Sequence, residues 1–508
     1  MVSLVFAGAE PKSGLGDWDY KATPDEQRAL ASIRAASLRG HLSFIAADAL
    51  QGRPTPSLGQ SVAAEYIAAQ FRRSGLEPGA GDSYFQTCRI KGFQANPEGF
   101  RLNISGGEKT VEISPPRFDM DSIREFHLNR APLVKVPLDR SAFRHLRGLM
   151  GKVVMTEFPH PSSKPSESGN SDVTVPEFLS RLAGFGPSLL VTLDRDDSKR
   201  PDYFNRLFLT ATEPHSEKEK RRSFPTVTLN DPKAVSNYDA MITGETGSTL
   251  SMKVGNPIPR ELVLRNVVGL LRGTDPLLRD TCVILSAHYD GTGPMDLSSQ
   301  DRIWNAANDD GSGTVALIEI ASALASLEQK PKRSILFIAF FGEERDFLGS
   351  RCYVENPSLP LDRVAANINL EQLGRTDSLT GDQRHKVVMT GFDYSEITGV
   401  LTRAGELTGI TVTGVDASPD PYFARSDNVS FAEQGVPAHT VCVALEYPDY
   451  HGSGDAWEKI DYSNMEQTSR MIALAVLMLA QSPDEPVWNA GNSHARPFLH
   501  VWRKRHTR

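Results

Sequence analysis

The pattern of residues 281–341 limits the fold more than any other part of this chain. Two apolar runs, TCVILSAHYD at 281–290 and SILFIAFF at 334–341, do not alternate with polar residues, which is typical of strands buried on both faces. Between them, GTVALIEIASALASL at 313–327 has apolar residues at helical spacing, and Pro331 follows it. Because a strand, a helix and a strand make a βαβ unit, we expect an α/β fold: a three-layer α/β/α sandwich around a mainly parallel mixed sheet.

Further runs extend this sheet and its helices. AANINLEQLG at 365–374 and HTVCVALEY at 439–447 are predicted strands, and SVAAEYIAAQFRRSGLEP at 61–78 is a predicted helix. The run MIALAVLMLA at 471–480 is about half of the roughly 20 residues that a helix needs to cross a membrane. We therefore interpret it as a buried helix and predict no transmembrane segment.

The composition changes between residues 126 and 248. Short β-like runs such as GKVVM, SLLVTL and FPTVTL alternate there with polar loops at 160–172 and 213–223, which we expect to be exposed. A chain of 508 residues is also too long for one ordinary domain. We predict an inserted β-rich domain at 126–248, a main domain built from 1–125 and 249–490, and a tail at 491–508.

Charge and cysteine content exclude some functions. The net charge of −8 and the pI near 5.9 argue against nucleic-acid binding, and the basic end WRKRHTR (502–508) is expected to be a frayed terminus. The four scattered cysteines form no CxxC pair, which excludes a disulfide scaffold and a cysteine-ligated zinc site but leaves their redox state open. MVSLVFAGAE (1–10) fits the remnant of a signal peptide or a ragged start, and we expect a secreted or periplasmic protein. The sequence does not indicate the oligomeric state.

Residues able to bind metal follow the ends of the predicted strands. They are His288, Glu343, Glu344, Glu371 and His451, together with Asp309 and Asp310 just before the helix. In open α/β sheets the functional crevice lies outside the carboxyl ends of the strands. Imidazole and carboxylate groups together suit Zn²⁺ better than Ca²⁺ or Mg²⁺. Asp290, two residues after His288, either orients that imidazole or is simply solvated.

Five motifs carry a resemblance to a known family. SAHYD, NDDGSGT, FFGEERDFLGS, INLEQLG and DYHGSGD occur in the order and strand context of the di-zinc exopeptidases. That family includes bacterial leucine-type aminopeptidases, glutamate carboxypeptidases and glutaminyl cyclases. The resemblance covers residues 35–90 and 255–470 well, which implies that the main domain is a catalytic zinc peptidase domain. Residues 126–248 only loosely resemble a protease-associated insert.

The resemblance implies two zinc ions per chain. Asp309 would bridge them, His288 and Glu371 would complete one site, and Glu344 and His451 would complete the other. At Glu371 the commoner family residue is Asp, so this ligand arm is one methylene longer. The alternative is that Glu371 turns toward an arginine such as Arg375, which would leave a single-zinc site.

Further roles follow from the same resemblance. Glu343 would be the general base that takes a proton from the attacking water. Tyr450 matches a tyrosine that in some relatives donates a hydrogen bond to the oxyanion, although a packed aromatic side chain is the alternative. Arg425 and Asp427 could line the substrate pocket, whereas Ser426 and Asp427 could equally cap a helix.

The function that this resemblance favours is an aminopeptidase acting on peptide substrates. The alternatives are a glutaminyl-cyclase-like acyltransferase with one zinc, a carboxypeptidase on the same fold, and a catalytically silent receptor-like protein. All five ligands and Glu343 are present, which argues against the silent protein.

Overall fold

The computed structural model describes residues 20–94, 96–107, 109–113, 118–120, 125–138, 148–157, 175–193, 195, 207–210, 224–293 and 303–506. The polar loops predicted at 160–172 and 213–223, and the N-terminal segment 1–10, lie outside the described residues. The chain divides into two compact units. Unit 1 comprises Met1–Cys88 and Val263–Arg508, and unit 2 comprises Arg89–Leu262.

Helices and strands are numbered along the described parts of the chain. The helices are α1 (Pro24–Ser32), α2 (Ala35–Ile45), α3 (Leu58–Arg73), α4 (Val175–Ala183), α5 (Pro232–Ala240), α6 (Gly313–Ala325), α7 (Leu348–Glu355), α8 (Ile397–Thr408), α9 (Asn428–Ala432), α10 (Tyr462–Gln481) and α11 (Arg496–His506). The strands are β1 (Glu77–Pro78), β2 (Phe85–Gln94), β3 (Arg101–Gly106), β4 (Lys109–Ile113), β5 (Phe118–Met120), β6 (Phe126–Lys135), β7 (Val153–Glu157), β8 (Leu189–Leu193), β9 (Leu207–Thr210), β10 (Thr226–Leu229), β11 (Gly244–Val254), β12 (Ile258–Leu271), β13 (Cys282–His288), β14 (Ser334–Phe340), β15 (Val364–Glu371), β16 (Asp377–Ser378), β17 (Gly381–Asp382), β18 (Lys386–Met389), β19 (Thr411–Thr413) and β20 (Ala438–Cys442).

The central sheet of unit 1 is mixed, as the apolar runs predicted. Its strand order is β19-β18-β20-β15-β13-β14-β12-β2, and the four central strands β20, β15, β13 and β14 run parallel to one another. β12 and β18 are antiparallel to their neighbours β14 and β20. Every residue of β13, β14, β15 and β20 is buried, which explains the absence of polar alternation in their sequences.

Helices cover both faces of this sheet. Ile284, Leu336 and Phe340 point to a core that also contains residues of α7, α9 and α11. α6 packs against β13, β14 and β15. Because successive side chains of a strand alternate, Phe337 points to the opposite face of the sheet from Leu336. Its ring lies against Phe71 of α3. The three-layer sandwich is thus confirmed, and the run at 471–480 is buried within α10.

The C-terminal tail is not a frayed terminus. Arg496–His506 forms a helix, in which Leu499 is buried in the core with Trp488, and Arg505 donates a hydrogen bond to the carbonyl oxygen of Gln434. The prediction of a frayed terminus was based on the basic residues of this segment. It was wrong because the same segment also carries apolar residues at helical spacing, which pack against the core.

Unit 2 has its own mixed sheet and core. The strand order is β4-β3-β11-β6-β7-β8-β10-β5, with parallel pairing from β6 to β10 and antiparallel pairing elsewhere. The unit begins at Arg89 and ends at Leu262, so it is wider on both sides than the insert predicted at 126–248. On the N-terminal side the difference arises because β3 and β4, which precede residue 126, pair with each other, and β3 also pairs with β11.

Two of the four cysteines are paired. Cys88 of β2 and Cys352 of α7 form a disulfide across 264 residues of sequence, whereas Cys282 and Cys442 are free and buried. Among the described residues, no helix is long and apolar enough to cross a membrane.

Candidate metal centre

The predicted ligands converge because they follow parallel strands. In the register of the sheet, His288 at the end of β13 lies beside Phe340 of β14, and Glu371 at the end of β15 lies beside Cys442 of β20. Since the carboxyl ends of parallel strands share one edge, the side chains at these ends and in the loops after them meet in one crevice.

A first cluster surrounds the fully buried His288. Its Nε2 atom lies 3.4 Å from Oδ1 of Asp309 and 3.4 Å from Oε1 of Glu371. Oε2 of Glu343 is more distant, at 3.9 Å. His288, Glu343 and Glu371 form a group whose potential ligand atoms lie within 4.8 Å of one another. The cluster therefore has the size and the donor atoms of a metal site.

A second cluster shares Asp309 with the first. Nε2 of His451 lies 3.0 Å from Oδ2 of Asp309 and 3.5 Å from Oε1 of Glu344. Asp309 thus directs one carboxylate oxygen to His288 and the other to His451. Asp309 therefore connects the two clusters.

Unpaired polar atoms indicate what these clusters are built to hold. Both ring nitrogens of His288 and Oε2 of Glu371 are buried without a hydrogen-bond partner. Buried polar atoms are nearly always paired in native proteins, because leaving them unpaired costs free energy. A divalent cation would satisfy Nε2 of His288 and Oε2 of Glu371, whereas Nδ1 of His288 faces Asp290; the residues present therefore fit a metal.

The backbone before Asp309 is held by a second aspartate. The buried carboxylate of Asp455 accepts hydrogen bonds from the backbone N–H groups of Asn308, at 2.9 Å, and of Asp309, at 3.1 Å. It also accepts one from the hydroxyl of Tyr447, at 2.9 Å. Asp455 therefore fixes the backbone position of Asp309, a role that the sequence did not indicate.

Asp290 is oriented and not solvated. It is completely buried. Its Oδ1 lies 3.4 Å from Nδ1 of His288 and accepts a hydrogen bond from the backbone N–H of Glu343. Its Oδ2 accepts a hydrogen bond from the hydroxyl of Thr55. Of the two alternatives left by the sequence, these contacts favour the one in which Asp290 sets the orientation of the imidazole.

Burial and charge perturb the site strongly. Burial, together with neighbouring carboxylates, raises the pKa of Glu343 well above its usual value and that of Glu344 to about 7. The pKa of Asp309 lies below its usual value, because burial raises it by less than the neighbouring His288 and His451 lower it. Hydrogen bonds to Asp309 and Glu344 raise the pKa of His451 to about 10. These shifts describe a site with an excess of buried carboxylates, which positive charge would stabilise.

Glu371 does not pair with Arg375. Its Oε1 accepts a hydrogen bond of 2.7 Å from the hydroxyl of Ser426. Arg375 instead forms ion pairs with Asp377 and Asp449. The longer arm of Glu371 therefore still directs its carboxylate toward His288, with Ser426 holding one oxygen.

A solvent-accessible pocket adjoins the two clusters. Its lining includes the acidic residues of both clusters together with Thr390, Tyr422, Arg425, Ser426, Thr440, Cys442, Leu445, Tyr450 and His451. The ring of Tyr450 stacks on that of His451, with their centres 4.0 Å apart. The guanidinium of Arg425 lies over the ring of Tyr422. Tyr450 and Arg425 are thus placed at the pocket.

Asp427 corrects one prediction. It is completely buried and does not line the pocket, because its Oδ1 accepts a hydrogen bond from the hydroxyl of Ser350 beneath the site. Nor does its side chain cap α9, which begins without a side-chain capping bond. Both alternatives for Asp427 were wrong, because the partner on α7 is remote in sequence.

Comparison with known proteins agrees with this architecture. Residues 266–476 match Peptidase family M28. Aminopeptidase YwaD of Bacillus subtilis (strain 168) is 26% identical over 228 residues, which cover 44% of this chain and 46% of that protein. A probable zinc metalloprotease of Pyrenophora teres f. teres (strain 0-1) is 32% identical over 243 residues, which cover 44% of this chain and 50% of that protein. The chain spans about half the length of these curated relatives.

Solved structures show the same fold. An aminopeptidase from Aneurinibacillus sp. strain AM-1 superposes with a TM-score of 0.55 at 21% identity, covering 91% of this chain and 97% of that one. A zinc aminopeptidase from Bacillus subtilis gives 0.54 at 19% identity, covering 87% and 94%. The five motifs and the candidate metal centre all lie within the residues that match Peptidase family M28.

Proposed function

We propose that this protein is an aminopeptidase that binds two zinc ions per chain and removes N-terminal residues from peptides. The observation that carries the proposal is the division of Asp309 between two histidines. Its Oδ1 faces His288 and its Oδ2 faces His451, and each histidine also faces a second carboxylate, from Glu371 or Glu344.

The proposed ligands follow from these contacts. His288 and Glu371 would hold one ion, Glu344 and His451 would hold the other, and Asp309 would bridge them. Bound zinc supplies positive charge that polarises a scissile carbonyl group and makes a nearby water more acidic. Names of relatives point the same way, since several are described as zinc aminopeptidases or zinc metalloproteases.

Glu343 is the proposed general base. It lines the pocket, and its backbone N–H is fixed by Asp290, so its carboxylate is held beside the two clusters. Burial raises its pKa, which increases the basicity of the carboxylate. Glu343 would take a proton from the attacking water and pass it to the departing amine, the usual sequence for a carboxylate base.

Tyr450 is the proposed donor to the negative charge that develops on the carbonyl oxygen. Burial raises the pKa of its hydroxyl, which keeps the group protonated and able to donate. Its ring is held against His451, so the donor is fixed before the substrate binds. Fixed donors of this kind contribute to catalysis because no reorganisation is needed during the reaction.

The similarity to named aminopeptidases favours an aminopeptidase over the alternatives. The lining contains the carboxylates of Asp309, Glu343, Glu344 and Glu371, of which three are proposed zinc ligands, so the choice of an aminopeptidase rests on the names of relatives such as Aminopeptidase YwaD. Arg425 is the proposed contact for more distal parts of the peptide. The disulfide between Cys88 and Cys352 favours an oxidising compartment, which agrees with secretion or export to a periplasm.

A panel of aminoacyl chromogenic substrates tests the proposal. We expect hydrolysis of free N-terminal substrates, loss of activity with a chelator, and recovery with Zn²⁺ at about two ions per chain. N-blocked peptides are the control and should not be cleaved. Cleavage of blocked peptides from the C-terminus would indicate a carboxypeptidase, and full activity without metal would contradict the proposal.

A further inference from the structure

Arg53 is a fully buried cation that has no role in the proposed chemistry. It is 0% exposed, and its guanidinium makes no ion pair with a carboxylate among the residues that the structure describes. Burying a charge is costly unless its hydrogen-bonding groups are all paired. Arg53 also precedes the family match, which begins at residue 266. Its burial therefore needs an explanation from the contacts that it makes.

The guanidinium binds four backbone carbonyl oxygens. Nε donates to Tyr289 at 2.9 Å, and the terminal nitrogens donate to Ile45 at 2.6 Å, Asn305 at 2.9 Å and Ala306 at 2.8 Å. Tyr289 directly follows His288, whereas Asn305 and Ala306 precede Asp309. One side chain therefore joins the loop after the first metal ligand to the loop before the bridging ligand.

The residues around Arg53 form a wedge between these loops. The backbone N–H of Gly291 donates to the carbonyl oxygen of Arg53, and Pro54 pairs with Gly291 in a short parallel bridge. The hydroxyl of Thr55 donates to Asp290. We call residues 52–55 the loop clamp.

We propose that Arg53 is a positioning residue, which sets the spacing of His288 and Asp309 through the loop clamp and so preforms the zinc site. The inference rests on the metal-binding part of the proposed function. A planar guanidinium with five fixed donors can hold four carbonyl groups at once, whereas an ammonium group cannot. Because zinc ligand distances must hold within about 0.2 Å, a small change in loop spacing should weaken binding.

The charge of Arg53 has the opposite expected effect. Burial lowers its pKa to about 10, while nearby Asp290 and Asp455 oppose that shift, so the group stays charged at neutral pH. A cation beneath the carboxylates repels zinc, and its removal by itself would strengthen binding. Arg53→Lys keeps the charge and removes the four-carbonyl geometry, so this substitution isolates the positioning role.

Zinc affinity of the full chain, measured by competition with a chromophoric chelator, is the readout. We expect Arg53→Lys to weaken the binding of at least one zinc by about 10- to 100-fold, the usual effect of removing a group that orients a metal ligand. The matched control is Arg333→Lys. Arg333 is also buried and bonds to Thr281 and to the carbonyl oxygens of Ser482 and Pro483, but it lies at the opposite end of β14 from the metal centre. We expect the zinc affinity of the Arg333→Lys variant to stay within about twofold of the wild-type value.

A second pair of variants leaves Arg53 intact. A Cβ at Gly52 would collide with the carbonyl oxygen of Trp304, whereas a Cβ at Gly75 would meet nothing within 4 Å. Both glycines have positive φ, +69° and +77°, so Ala imposes similar backbone strain at each. Gly52→Ala should weaken zinc binding about 10-fold, and Gly75→Ala should leave it unchanged.

Folded Arg53→Lys or Gly52→Ala protein with wild-type zinc affinity would overturn the inference, as would an equal loss in the control variants. If Arg53→Lys does not fold, the glycine pair decides. Failure of the proposed function is distinguishable, because in that case the wild-type chain itself would not bind two zinc ions.

Discussion

At the scale of single residues, the adjacent Glu343 and Glu344 should have separable roles. Glu343→Gln keeps size and hydrogen bonding but cannot accept a proton, so kcat should fall by roughly 10²–10⁴-fold, the usual contribution of general base catalysis. Its zinc content should not change. Glu344 lies 3.5 Å from His451, so Glu344→Gln should lose zinc from that site. Elemental analysis and steady-state kinetics of both variants check this, and the reverse pattern would exchange the two assignments.

Glu371 tests the longer ligand arm. Its carboxylate lies 3.4 Å from His288 and is held by Ser426. We expect Glu371→Ala to lose about one zinc per chain, while Glu371→Asp keeps substantial activity because the shorter arm is the commoner family form. Metal content measured against the wild-type chain decides. Two zinc ions bound by Glu371→Ala with unchanged affinity would show that the residue is not a ligand.

The sequence indicated the convergence of the proposed ligands better than it indicated the residues that hold them. His288 and Glu371 end strands whose apolar runs are plain, so their convergence follows from the topology of a parallel sheet. Asp427 and Arg53 could not be placed in this way, because their partners, Ser350 and four backbone carbonyl groups, are brought near them only by tertiary folding.

At the scale of elements, α11 shows where periodicity was hidden by charge. Its basic residues suggested a frayed end, yet Leu499 lies in the core with Trp488 and Phe431. The strands and α6 were predictable because long, uniform apolar runs have few alternatives. A short basic helix depends on a docking surface that is distant in the sequence, so local pattern alone could not reveal it.

We therefore expect Leu499→Ala to destabilise unit 1. Removing a buried leucine side chain costs about 2–5 kcal/mol through lost burial and the cavity that remains. Lys504→Ala, an exposed position on the same helix, is the matched control and should change the free energy of unfolding by less than about 0.5 kcal/mol. Chemical denaturation of both variants measures the difference. Equal stability of the two would mean that α11 does not contribute to the core.

At the scale of the whole molecule, the two compact units have separate cores, and the candidate metal centre lies in unit 1. The sequence indicated an insertion from its change in composition, but the boundary at 89 depends on the pairing of β3 with the distant strand β11 and of β4 with β3. Long-range pairing of this kind leaves no local signal in the residues 89–125.

Zinc should stabilise one unit selectively. A ligand that binds only the folded state stabilises it by about 2.7 kcal/mol when its free concentration is 100 times the dissociation constant. We expect calorimetry of the metal-free chain to show two unfolding transitions. Because the proposed ligands all lie in unit 1, zinc should raise the midpoint temperature of only one of them. Glu344→Gln serves as the control. Loss of one proposed ligand should reduce the increase in the midpoint temperature of that transition and leave the midpoint temperature of the other transition unchanged. If zinc raised the midpoint temperatures of both transitions equally, the effect of the metal would not be confined to unit 1. The prediction that the two units unfold independently would then be wrong.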